Sequence, residues 1–160
     1  IRNNVALTRW PRVLCGGTPV GAGVFGYSWA VMTLEDEARA VAAHAYAPYS
    51  KFPVGAAVQM DGKIFAAANV ENASYPLGVC AERNAIAAGV AAGARHLEVV
   101  AVYTTASPPA SPCGGCRQVL REFAAHPESV QVIATNDRGE RRAWTLEQLL
   151  PDSFSGSQLP

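Results

Sequence analysis

Disulfide frameworks, membrane spans and strong net charge are all missing from this sequence. Four cysteines in 160 residues are too few for a disulfide scaffold. No apolar run is long and clean enough for a membrane span. Charged residues make up only 16 % of the chain and cancel to a net charge of zero. Acidic residues are absent before Glu35, whereas Arg2, Arg9 and Arg12 lie upstream of it. From Leu34 onward 10 basic residues face 13 acidic ones, a net of −3. Nucleic-acid affinity rests mainly on phosphate neutralisation, so DNA, structured RNA and anionic membranes are poor partners for this region. What remains is 49 % apolar, enough to bury the core of one domain.

Residues 1–33 lack helical and strand periodicity. Gly16, Gly17, Gly21, Gly23 and Gly26, with Pro11 and Pro19, interrupt any regular element. Arginines followed by an uncharged stretch suggest a signal peptide, but the glycine-rich stretch has no leucine-type h-region. We therefore expect an upstream extension with little fixed structure, and assign its Cys15 no role.

Order begins at Thr33, an N-cap for a helix whose first turn holds Glu35, Asp36 and Glu37. Apolar Leu34, Ala38, Val41, Ala42 and Ala45 follow at helical spacing, with Pro48 as the stop. Val54–Met60 and Ile64–Ala68 read as strands joined by an Asp61-Gly62 turn. Cys80–Ala92 reads as a helix ended by Gly93. A strand at Leu97–Thr104, a helix at Cys113–Ala125 and a strand at Val130–Thr135 come next. A turn at Asp137-Arg138-Gly139, a short segment near Ala143 and a short helix at Leu146–Leu150 complete the chain. Alternating strands and helices predict an α/β fold, one sheet covered by helices on both faces.

The chemistry is concentrated in three cysteines and one glutamate. Cys113-Gly114-Gly115-Cys116 is a CxxC, and Cys80-Ala81-Glu82 lies upstream. A lone CxxC serves redox and structural zinc sites alike. Three thiols, with Cys15 far upstream and given no role, point instead to a catalytic zinc with an open position. His44, His96 and His126 read better as solvated residues than as a fourth ligand. Both cysteine segments open helices, whose N-termini stabilise thiolates. Glu82 alone would be a helix-dipole partner; beside an open zinc position it is a candidate general acid/base. Zinc with three thiolates carries a formal −1, so a nearby cation is expected. Arg83 is the better candidate and Arg117 the weaker.

The runs YSKFPVGAA from Tyr49, NVENASYPLGVCAERNAI, SPCGGCRQVLREF and LLPDSF resemble the small homotetrameric, zinc-dependent cytidine deaminase family. The resemblance spans Leu34 to about Phe154. It implies a single domain at 34–155, with a three-layer α/β/α fold on a mixed five-stranded sheet, followed by a flexible tail at 156–160. It implies one Zn²⁺ per chain on Cys80, Cys113 and Cys116. Glu82 would move a proton from water to the pyrimidine N3 and then to the departing amine. Asn69 and Glu71 would bind the ribose 3′-hydroxyl, and Phe52 would pack on the nucleoside. Ala81 would contact the base through its backbone. Tyr49 and Tyr75 fall in the matching loops. Phe154 would cover the base in a neighbouring subunit.

The implied activity is deamination of cytidine and 2′-deoxycytidine in pyrimidine salvage, by a cytoplasmic homotetramer with shared sites. A deaminase of an aminoacyl nucleoside antibiotic of the blasticidin S type shares the zinc core, but NVENASYP favours the nucleoside. A zinc-stabilised binding module without chemistry has no need of Glu82 or of an open ligand position. A nucleic-acid editor is disfavoured by the net −3.

Overall fold

The computed structural model describes residues 32–159. The expected extension, Cys15 included, lies outside them as far as residue 31.

Thr33 caps the first helix, α1 (Leu34–Ala42). Its Oγ1 accepts from the Asp36 amide at 3.2 Å, and the Asp36 carboxylate accepts from the Thr33 amide at 3.0 Å. This reciprocal box satisfies donors that the first helical turn leaves free. The helix ends at Ala42, short of Pro48. Tyr46 is drawn away to pair with the segment around Val70: its amide donates to Asn69 and its carbonyl accepts from Glu71.

The strands are β1 (Val54–Met60), β2 (Lys63–Ala68), β3 (Leu97–Thr104), β4 (Gln131–Thr135) and β5 (Arg141–Thr145). The remaining helices are α2 (Ala81–Ala91), α3 (Gly114–Glu122) and α4 (Leu146–Leu149). Short 3-10 turns lie at Tyr75–Leu77 and Gly156–Gln158. The sheet order is β2-β1-β3-β4-β5. Only β3 and β4 run parallel, joined through α3; the other neighbours are antiparallel. The expected mixed five-stranded sheet is therefore observed, with Asp61 and Gly62 both at positive φ in its first turn.

Alternation along β1 divides the interior. Ala57 faces Ala38 of α1 and Ala101 of β3. Ala56, Val58 and Met60 face the larger core with Ala81, Ala85 and Ile86 of α2 and Leu120 of α3. One face thus carries α1 and the other carries α2 and α3, giving three layers. Burial of these side chains contributes roughly 25 cal/mol per Å² of apolar surface removed from water. Because β1 is antiparallel to β3, the start of β1 adjoins the end of β3, with Val54 opposite Thr104. The starts of α2 and α3 also meet at this end of the sheet.

Candidate active site

Cys80 is the N-cap of α2 and Cys113 the N-cap of α3; Cys116 lies in the first turn of α3. Their three Sγ atoms lie within 4.8 Å of one another, and Cys80 and Cys113 are 4.0 Å apart. Thirty-three residues of sequence separate that pair. Neither Cys80 nor Cys113 caps its helix through its own side chain, so the first-turn amides and the positive dipole ends lie beside the sulfurs.

The environment separates the thiols by protonation. Cys80 is pulled down to about 5, chiefly by hydrogen bonding with Cys116, with Cys113 and the charge of Arg83 adding to it. Cys116 is pushed up, because it is the donor to Cys80 and is buried. Cys80 is therefore the sulfur that gives up its proton most readily. Thiolates are the metal-binding form of cysteine, and a soft sulfur set matches zinc. Among the described residues these three cysteines form the one such ligand cluster. The residues present fit a zinc held by three protein ligands.

Glu82 follows Cys80 by two positions and is only 5 % exposed. Burial, above all, raises its carboxyl above the usual range, and the Cys80 charge pushes the same way. A buried carboxyl beside a thiolate holds a proton more readily than a surface one.

Cys80, Cys113 and Glu82 line a cavity of about 280 Å³, with Cys116 buried behind them in the sulfur cluster. Phe52, Asn69, Glu71 and Ala81 also line it, as do Val102 and Thr104 at the end of β3. Five separate sequence segments, at 50–54, 69–71, 80–82, 102–104 and 110–113, thus converge on one cavity. Asn69 and Glu71 do more than face the cavity. Asn69 Oδ1 accepts from the Val54 amide at 2.9 Å, and its Nδ2 donates to the Phe52 carbonyl at 3.1 Å. Glu71 Oε2 accepts from the Tyr49 and Ser50 amides at 2.9 and 3.2 Å. Each holds the loop before β1, leaving Asn69 one amide hydrogen and Glu71 its second oxygen.

Two expected binding residues lie elsewhere. Tyr75 is absent from this cavity. The Tyr75–Leu77 turn leaves it 76 % exposed, in edge contact with Tyr49 at 6.0 Å between ring centroids. Both tyrosines line a neighbouring cavity that shares Ser50 and Glu71 with the first. Phe154 is 57 % exposed and also lies outside its own chain's cavity.

The two arginines part company. Arg83 donates through Nη2 to the Gly78 carbonyl at 3.0 Å, and its charge lowers the Cys80 thiol. Its Nε is buried and meets no protein acceptor. Arg117 spends its guanidinium on the Ser111 hydroxyl and the Pro112 and Leu149 carbonyls. Sequence reasoning missed that second role, since each carbonyl is remote or unmarked in sequence. It also missed Asn84, whose Nδ2 ties α2 to the Ala68 carbonyl at 2.9 Å. His96 and His126 pair with Asp61 and Glu128 at the surface, as their polar surroundings suggested.

The model of the cytidine and deoxycytidylate deaminase zinc-binding region matches residues 31–133. The chain belongs to the cytidine deaminase family. A cytidine deaminase of Sporosarcina psychrophila is 43 % identical over 124 residues, covering 77 % of this chain and 90 % of the relative. A cytidine deaminase of Mycobacterium tuberculosis is 41 % identical over 128 residues, covering 79 % and 91 %. Among solved structures, the cytidine deaminase of Burkholderia pseudomallei superposes with a TM-score of 0.71 at 46 % identity. That match covers 76 % of this chain and 96 % of the other. For this cytidine deaminase family member, the same superpositions match the mixed sheet and its helices. No described helix is long and apolar enough to cross a membrane.

Proposed function

We propose that this protein hydrolyses cytidine and 2′-deoxycytidine to uridine and 2′-deoxyuridine, releasing ammonia, as a step of pyrimidine salvage. The observation that carries the proposal is the placement of buried Glu82 beside three clustered thiols, with Glu82, Cys80 and Cys113 lining one cavity. Residues 34–155 form the catalytic domain in this reading.

Cys80, Cys113 and Cys116 would hold one zinc, which when bound supplies the Lewis acidity that makes water nucleophilic near neutral pH. Glu82 receives a proton, delivers it to the pyrimidine N3 and later donates to the departing amine at C4. This use of a non-ligating glutamate is general to zinc deaminases of bases. Burial suits Glu82 to that work: its raised affinity for a proton lets it act as acid as well as base. Arg83 offsets negative charge around Cys80. The Ala81 backbone faces the base, and Phe52 packs on it. The free oxygen of Glu71 accepts from the ribose 3′-hydroxyl, with the spare amide hydrogen of Asn69 beside it. Reducing conditions such as those of the cytoplasm keep the cysteines available as thiols.

Assembly into a homotetramer belongs to the same reading. Tyr46, Tyr49, Tyr75, Leu77 and Phe154 are large apolar groups left largely open to solvent, and Phe154 would complete a neighbour's site.

The test is loss of cytidine ultraviolet absorbance on adding the zinc-loaded protein, with stoichiometric ammonia. Turnover abolished in Glu82→Gln with zinc retained supports the reading. Turnover unaffected by that substitution overturns it.

A further inference from the structure

After α4 ends at Leu149 the chain has little apolar anchorage. Phe154 and Leu159 are 57 % and 61 % exposed, and Asp152 turns the backbone through a positive φ. The tail is nevertheless held in place, by polar contacts from one helix. Arg117 Nη1 donates to the Leu149 carbonyl at 2.7 Å. Gln118 Nε2 donates to the Phe154 carbonyl at 2.9 Å. Arg121 Nε donates to Ser153 Oγ at 2.9 Å.

These three side chains share one side of α3: positions 117 and 121 lie one turn apart, and 118 is adjacent. The opposite work of Arg117 faces the site, where Nε and Nη2 hold the Pro112 carbonyl at 2.7 Å and the Ser111 hydroxyl at 2.9 Å. Ser111 lines the cavity, and Pro112 immediately precedes Cys113.

We propose that Arg117, Gln118 and Arg121 form a cradle that positions the C-terminal tail, and through it Phe154, for the reaction. The proposal rests on the reading that Phe154 packs on a nucleoside. All three act through other residues and are positioning residues. Gln118 matters most for the aromatic, because it fixes the backbone of Phe154 itself. Arg117 links the tail to the wall of its own chain's cavity. One rigid helix therefore carries two of the three clustered cysteines at its start and holds the outgoing aromatic from its side. Arg117 needs its fork to do this, since a lysine cannot bridge three acceptors in one plane.

The test uses the full-length, zinc-loaded chain. Gln118→Ala is expected to raise KM for cytidine about tenfold with little change in kcat, as weakened base stacking would. Gln118→Ala combined with Phe154→Ala should be no worse than Phe154→Ala alone. A double variant whose losses add overturns the proposal, because a merely structural defect would add. Amide hydrogen exchange of residues 150–159 supplies a reading independent of activity. It should quicken about tenfold in Gln118→Ala and in Arg121→Met, with α2 and β3 unchanged. Arg117→Lys should behave like Arg117→Met, not like the parent. Unchanged tail exchange in all of these variants overturns the cradle. Faster exchange with an unchanged KM overturns its role in the reaction. Should the parent protein fail to deaminate cytidine, the functional reading falls, while the exchange measurement still decides the cradle.

Discussion

Gly55 of β1 lies so close beneath Ala38 of α1 that a Cβ on the glycine would meet the Ala38 carbonyl oxygen. The Ala42 backbone and side chain would crowd it as well, at 2.8 and 2.9 Å. The contact lets α1 lie flat on the sheet, and Val54, next along β1, lines the cavity.

Gly55→Ala is therefore expected to destabilise the chain, by about 1–3 kcal/mol or more, because backbone rather than a flexible side chain must yield. Chemical denaturation checks it through a lower midpoint with an unchanged slope. A midpoint equal to that of the parent would mean that α1 rides on the sheet more loosely than the contact implies.

Glu82→Gln keeps size and hydrogen-bonding shape but cannot carry the proton. Turnover should fall by at least about 10²–10⁴-fold, since one residue serves several transfers. Zinc content, measured by atomic absorption, should stay at the parent level. Cytidine turnover within a few-fold of the parent is the result that excludes this role.

Cys113→Ala removes one of the three clustered sulfurs. Both metal and activity should be lost, and chelation of the parent should have the same effect on activity, reversed by adding zinc. Stoichiometric zinc with normal turnover in the variant would take Cys113 out of the site.

Arg83→Ala should lower turnover more than it weakens substrate binding. Adding Cys80→His removes one negative ligand and should restore part of the loss. The comparison is a double-mutant cycle in kcat and metal content. A double variant no better than the worse single one would argue against charge compensation.

Glu71 gives a pH dependence with a definite sign. The Ser50 hydroxyl first, then the Tyr49 and Ser50 amides, hold its carboxyl below the usual 4.5. A carboxyl depressed by folding adds stability above its unfolded pKa, and loses it as pH falls through the folded one. Glu71→Gln should therefore be less stable than the parent at neutral pH. The gap should shrink only below about pH 4.5, where unfolded carboxylates of this kind protonate. Denaturation series at several pH values check this; a gap independent of pH would mean that the charge of Glu71 does not hold the loop.

Shared sites can be tested by exchanging subunits between Glu82→Gln and Phe154→Ala chains. Mixed assemblies pair an intact Glu82 with an intact neighbouring Phe154, so affinity for cytidine should partly recover. A monomeric mass by light scattering at full activity would exclude shared sites.

Much of this molecule was legible before folding. Short apolar runs located β1 and β3 to the residue, because both strands are covered on both faces and so carry consecutive buried residues. Cys80, Glu82, Cys113 and Cys116 stood out as candidates by type and spacing, since few other functions need three thiols and a first-turn acid, and the structure clusters the three sulfurs. The early stop of α1 was not legible: Pro48 marked an end, yet the pairing of Tyr46 with the Val70 segment ends the helix sooner. Tyr75 was expected at the site from the family resemblance of its loop, while the 3-10 turn places it in the neighbouring cavity instead.

The sequence by itself determined most of the elements and singled out three cysteines and one glutamate, all of which depend on local spacing and side-chain chemistry. Only the tertiary structure decided which groups meet. It brought Cys80 within 4.0 Å of Cys113, buried Glu82, and separated Arg83 at the thiols from Arg117 in the tail cradle. Those outcomes depend on how two helix N-termini pack at one end of the central strands of a sheet. Packing is a long-range property, and no local pattern of residues encodes which distant carbonyl a guanidinium will find.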